Sequence, residues 1–182
     1  MKKKSFQILG IAILLIGMVS VNPANAQSGK DAKIIADAKI AKQEFIKTDG
    51  QMKSLFDNAY GYVIFPNVGK GGIGVGGAAG NGVAYEKGAK AGMAKLTQVT
   101  VGFQWGGQAY REVIFFESKA DMDRFKQNKI ELSAQASAVA ATVGASANAK
   151  YREGVMVFTQ QKGGLMYEAS IGGQKLKFTH TL

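Results

Sequence analysis

Residues 31–47 carry apolar side chains at Ile34, Ala38, Ala41 and Phe45, with Ile35 and Ile46 on the shoulder of the same stripe. That three- and four-residue spacing predicts an amphipathic helix. Lys30, Lys33, Lys39, Lys42 and Lys47 alternate along it with Asp31, Asp37 and Glu44. Asp49-Gly50 breaks the pattern, and a short second helix is expected over 52–58. From Tyr60 the period changes: Tyr60-Gly61-Tyr62-Val63-Ile64-Phe65 reads as a strand that stops at Pro66-Asn67. Glycine then falls at 72, 74, 76, 80 and 82, the two-residue side-chain period of a strand. One side of that strand would be bare backbone from Gly72 to Gly76, with Ile73 and Val75 opposite. A bare side costs entropy and offers no packing, so it predicts the close approach of a backbone, a helix or a ligand.

Extended patterns continue over 82–86, 96–105 and 110–117, with a Gly/Ala/Lys loop expected at 87–92. Val99, Val101, Phe103 and Trp105 share one face of the second of these, and Val113-Ile114-Phe115-Phe116 reads as buried on both sides. Ser118 with Asp121 has the form of a capping box and starts a helix through Asn128, with Met122 and Phe125 inward. Residues 132–143 are rich in Ala and Ser. Alanines spaced by two at 134–140 and again at 145–149 predict a strand despite their helix propensity. Strands at 154–159, 165–171 and 175–178 complete an α+β fold. N-terminal amphipathic helices pack on a curved, Gly-rich, antiparallel and barrel-like sheet, with one inserted helix.

The N-terminus bears on compartment. Lys2, Lys3 and Lys4 precede an almost wholly apolar run over 6–21, and Ala24-Asn25-Ala26 supplies a small-residue cleavage site. A signal peptide over 1–26, cut before Gln27, is expected, with a retained anchor as the alternative. One domain over 27–182 follows, exported to the periplasm or the medium. The 182 residues carry 23 basic and 13 acidic side chains. Three of the lysines and no acid lie in 1–26, which leaves +7 on the remainder. Only Arg111, Arg124 and Arg152 are arginines, which suits diffuse attraction to an anionic surface better than bidentate phosphate recognition. An exported chain of this charge is not expected to bind nucleic acid. No cysteine is present, which excludes disulfides, thiol nucleophiles and thiolate metal sites.

Catalytic and nucleotide signals are poor. Gly72-Ile73-Gly74-Val75-Gly76-Gly77 fits G-x-G-x-x-G literally, but no helix pattern opens after it and no acid follows about 20 residues on. His180, the lone histidine, reads as a residue of a frayed tail, and Asp121 and Asp123 as partners of a helix start. Trp105, Phe103 and Tyr110 could line an apolar site, with core the simpler reading. Gln104 and Gln108, if buried, need hydrogen-bond partners. No enzyme, metal or cofactor is indicated.

Residues 59–66 (Ala-Tyr-Gly-Tyr-Val-Ile-Phe-Pro) and Lys70-Gly71-Gly72-Ile73-Gly74-Val75-Gly76-Gly77 resemble the signature of the SYLF lipid-binding domain family. Val101-Gly102-Phe103-Gln104-Trp105-Gly106-Gly107-Gln108 is similar to its glycine-glutamine block. Residues 117–125, Gly163-Gly164-Leu165-Met166-Tyr167 and Ile171-Gly172-Gly173 are similar to the segments that follow it. The resemblance implies lipid binding, with a basic amphipathic helix at the start of the domain as the membrane-facing element. For an exported member it implies an anionic phospholipid or membrane surface as partner. An envelope protein is the alternative partner, and actin or phosphoinositides are not expected. Carried over by position, the lipid-binding residues would be Lys30, Lys33, Lys39, Lys42 and Lys47 on the helix, with Lys70, Gly72, Gly74 and Gly76 in the glycine signature. The helix lysines exceed its acids by two, which supplies only about 2 kcal/mol near an anionic surface at roughly 1 kcal/mol per charge. Apolar insertion, the remaining charge or a pocket must add to that. Insertion competes with the usual use of such a stripe as core, which is the expected use here.

Overall fold

A computed structural model describes residues 23–73, 75–101, 108–133, 137–162 and 169–180. Helix α1 runs Pro23–Thr48 and α2 runs Met52–Asn58. Long strands β1 (Gly61–Ile73), β2 (Val75–Glu86) and β3 (Ala89–Val101) are followed by β4 (Gln108–Phe116) and helix α3 (Lys119–Lys126). Then come β5 (Ser137–Ala140), a 3₁₀ turn (Ala145–Asn148), β6 (Val155–Gln161), β7 (Ala169–Ser170) and β8 (Lys175–His180). The strands form one sheet in the order β7-β5-β6-β4-β1-β2-β3-β8. All pairings are antiparallel except β5 with β6, which is parallel and corrects the wholly antiparallel expectation.

The sheet is strongly curled without closing. Its two edges, β7 and β8, are joined by only four residues, 171–174. Five Cα steps reach at most about 18 Å, whereas eight flat strands would span roughly 34 Å. Side chains confirm the curl: Gln98 of β3 donates to Gly172 O at 2.9 Å, and Gln174 donates to Glu112 of β4 at 3.1 Å. The inner face is filled by Val63, Phe65, Leu96, Ile114, Phe116 and Leu176, with Phe125 of α3 stacked on Phe116 at 5.0 Å. On the outer face, Phe45 of α1 and Phe56 of α2 pack with Ile64, Val83, Val113 and Phe158. Ala38, Ala41 and Phe45 are buried, so the α1 stripe is core as expected.

Several local expectations need correction. The strand at 60–65 does not stop at Pro66: β1 continues to Ile73, and both of its ladders shift register between residues 64 and 68. A bulge is the one place where a central strand tolerates the missing proline N–H. The glycine run is not a single strand either. Gly72 pairs with Gly76 and Ile73 with Val75, so the chain reverses about position 74, which itself lies outside the described residues. Among the described residues, close approach is seen at Gly82 of the same run and at Gly92. A Cβ on Gly82 would sit 2.5 Å from Ile64 O and 2.6 Å from the Phe65 ring. One on Gly92 would meet the Phe178 ring at 2.6 Å, so aromatic rings lie directly on bare backbone there.

The expected loop at 87–92 shrinks to the two-residue turn Lys87–Gly88, both at positive φ (48° and 79°), the geometry that matches strand twist. Residues 145–148 are a 3₁₀ turn rather than a strand, tied to the helical layer by Asp49. The buried Asp49 carboxylate accepts from Ser146 N at 2.9 Å and Ser146 Oγ at 2.7 Å. Burial alone would push this carboxyl up, but the Ser146 and Gln51 hydrogen bonds outweigh it and hold it below its usual range. Val99 is 74% exposed, against the expectation that its face is core, and it is Gln98 that is buried. Phe103, Gln104 and Trp105 lie outside the described residues, and Gln108 is exposed. The capping box of α3 is present as read, although the helix ends at Lys126 rather than Asn128. Helix α1 begins at Pro23, upstream of the expected cleavage site, so cutting before Gln27 would trim its first turn.

Candidate functional site: a basic row beside helix α1

Strand register lays the outer face out in rows. One row, Phe158–Val113–Ile64–Val83–Met93, is apolar and roofed by the helices. Two residues further along β2, β3, β4 and β6, and three along the bulged β1, the next row is wholly polar. Arg111 pairs with Gln160, Asn67 with Asn81, Asn81 with Lys95, and Lys95 with Lys177. Lys95 and Lys177 are exposed and directly opposite one another, an arrangement that costs stability in an antiparallel pair. Packing does not explain it.

This row meets α1 on both flanks. On one flank, Lys30, Asp31 and Ile34 of the helix face Met93, Lys95 and Lys177 across a cleft of about 510 Å³. The floor is apolar and three ammonium groups stand on the rim. On the other flank, Lys33, Asp37, Asn67, Arg111 and Lys162 border a notch of about 250 Å³. Asp37 Oδ2 accepts from Lys33 Nζ at 3.1 Å and Asn67 Nδ2 at 3.3 Å, while Lys162 Nζ donates to Asn67 Oδ1. Arg111 donates to Gln160 Oε1 at 3.1 Å, and Gln160 in turn donates to Thr48 Oγ1 at 2.6 Å, tying the row to the helix end. Burial, with the Arg111 and Lys33 charges beside it, pulls the Lys162 ammonium below its ordinary value despite Asp37. Across both flanks six cations face two carboxylates, so four positive charges are uncompensated. Such a surface attracts anions.

The residues predicted from sequence are thereby sorted. Lys30 and Lys33 stand on the two flanks of the row. Lys39 and Lys47 are exposed on α1 away from both clefts. Lys42 is spent on structure: its ammonium lies 4.8 Å from the Phe56 ring and 5.2 Å from the Tyr62 ring, and donates to Tyr62 Oη at 3.2 Å. Burial lowers its pKa against the pull of Asp57. Lys70 is on the other side of the sheet. It shares the inner face with Val68 and Tyr110, half-buried, its pKa lowered by burial while the Glu112 charge opposes that shift. Gly72 and Gly76 face each other across a hairpin, and Gly74 lies outside the described residues. The structure therefore does not bring the helix lysines together with the glycine signature.

Two further sets of residues escaped the sequence reading. Lys95, Arg111, Lys162 and Lys177 had a signal, since Lys175-Leu176-Lys177-Phe178 alternates charge with core. Glu112, fully buried on the inner face, had none, because it sits in an apolar strand. Its Oε2 accepts from Gln174, its Oε1 has no partner among the described residues, and burial pushes its pKa up to about 8. His180 is not in a frayed tail. It closes β8 opposite Gly92, its ring 6.0 Å from Phe178. Among the described residues no cluster of three or more His, Cys, Asp or Glu could hold a metal. No described helix is long and apolar enough to cross a membrane.

Curled sheet, helical roof and basic flanks define an α+β domain with a cationic outer face. Residues 97–181 match the family model described as Ysc84, "Las17-binding protein actin regulator". A curated relative, "Beta cell expansion factor A" of Aeromonas veronii, is 31% identical over 154 residues, which cover 83% of this chain and 59% of that protein. Residues 97–181 thus match the SYLF domain family, of which that relative is a member, and the chain spans 59% of the relative's length.

Proposed function

We propose that this chain is a non-enzymatic binder of anionic phospholipid at the cell envelope, reached by export after removal of residues 1–26. Binding is by surface docking rather than helix insertion. The observation that carries this reading is the basic row and its two flanking clefts on the outer face. Four uncompensated charges contribute about 4 kcal/mol near an anionic leaflet at roughly 1 kcal/mol each, twice what the helix supplies alone. Insertion of the α1 stripe would instead strip Ala38, Ala41 and Phe45 from the core. Similarity to the SYLF family, which is associated with lipid binding, supports the lipid class of the ligand.

Co-sedimentation with vesicles tests it. Vesicles of phosphatidylglycerol mixed with phosphatidylcholine should retain the protein at low salt and release most of it at 0.5 M NaCl, because exposed charges are screened. Pure phosphatidylcholine vesicles should retain little. Equal retention on both vesicle types, or none on either, would overturn the reading.

A further inference from the structure

The sheet is parted along β6. Strand β5 stays with β6 only at Val139–Phe158 and Ala140–Thr159, and its first two residues pair with β7 instead. Between Val155 and Val157, β6 has β4 on one side and, among the described residues, no strand on the other. A cleft of about 490 Å³ occupies the gap, within the usual range for a small-molecule site. Its floor is the inner core showing through the sheet, formed by Leu132, Ala138, Val157 and Ile171. Its rim carries Lys150 and Arg152 against the single carboxylate of Glu153, which leaves one positive charge. Apolar walls with one net cation at the mouth match a single alkyl chain with one anionic head. The rim shares no residue with the basic row, so this site stands apart from membrane docking.

We propose that this cleft binds one straight-chain fatty acid, its carboxylate at Arg152 and Lys150 and its chain over Ile171 and Leu132. Each further methylene taken out of water favours binding, so affinity should rise with chain length until the cleft is full.

Calorimetric titration of the full chain with laurate, below its micellar concentration, tests the site. Dodecylamine serves as the same chain with a cationic head. Saturable one-to-one laurate binding is expected, with dodecylamine at least tenfold weaker. Ala149→Phe, which fills the cleft from a partly exposed position on its wall, should weaken laurate at least tenfold. Arg152→Glu should weaken it about fivefold and narrow the preference over dodecylamine. Both variants should unfold at the wild-type temperature and keep wild-type retention on phosphatidylglycerol vesicles, which separates this site from the docking surface. No saturable laurate binding, or binding that both variants leave unchanged, would overturn the proposal.

Discussion

The roofed and open halves of the outer face are made by the same strands, parted on β1 by the bulge at Pro66, yet they differ in burial and charge. Under the helices, Phe158, Val113, Ile64 and Val83 are buried and tied into an aromatic cluster in which Phe115 lies 4.9 Å from Phe56. One row on, Arg111, Asn67, Asn81, Lys95 and Lys177 replace them. The same strands pair in the same order in both halves, so strand pairing does not choose between them. The difference comes from where α1 lies and ends its cover. The roofed half holds the fold together, while the open half tolerates a like-charge pair that stability alone would not favour.

Truncating the roof should have the largest effect. Phe45→Ala removes a ring that is 0% exposed and should cost about 3–5 kcal/mol, read as a lower urea midpoint at unchanged slope. A loss under 1 kcal/mol would mean that α1 is a loosely held flap and would reopen insertion. Glu112→Gln on the inner face comes next. The folded-state pKa of Glu112 is raised to about 8 from an ordinary 4.5, so its favourable contribution is full below pH 4.5 and is lost as pH rises through 8. The variant should therefore be more stable than wild type by a few kcal/mol near pH 9. It should also lack the wild-type decline between about pH 5 and 8, measured by thermal unfolding across pH. A parallel decline in both proteins would place the titrating group elsewhere.

Smaller effects sharpen the contrast. Ser146→Ala, which strips the Ser146 Oγ hydrogen bond from buried Asp49 and leaves the backbone N–H bond in place, should cost about 1–2 kcal/mol. Part of that loss should disappear at acid pH, as pH falls through the depressed Asp49 value and the carboxyl protonates in either protein. Lys177→Glu should stabilise the β3–β8 pair by about 0.2–1 kcal/mol while weakening retention on anionic vesicles. Opposite signs in stability and binding are what a functional surface predicts, and equal signs would make Lys177 a structural residue.

Much of the fold was legible in the chain because periodicity reports faces. The α1 stripe, the capping box at Ser118 and the doubly buried run Val113–Phe116 are all where the pattern puts them. Reversals were harder to read. A glycine run of period two describes a hairpin about position 74 as well as it describes one strand, and a bulge hid the continuation of β1 through Pro66. Alanines spaced by two over 145–149 proved to form a 3₁₀ turn over 145–148, since small residues carry little facial signal. The candidate site was the least legible part. Counting lysines on one helix could not reveal that Lys42 is spent on two aromatic rings, or that Lys70 faces the opposite side of the sheet. Nor could it show that Lys95 and Lys177, 82 residues apart in the chain, complete a row with Asn81 and Asn67, because only register aligns them.

Charge reversal at matched positions tests the central claim most directly. Lys95→Glu/Lys177→Glu changes the row and Lys39→Glu/Lys47→Glu changes the exposed flank of the helix, each by four charge units. Retention on phosphatidylglycerol vesicles at low salt should fall at least tenfold for the row variant and less than threefold for the helix variant. The reverse order would return lipid binding to the helix and contradict docking through the open half of the sheet.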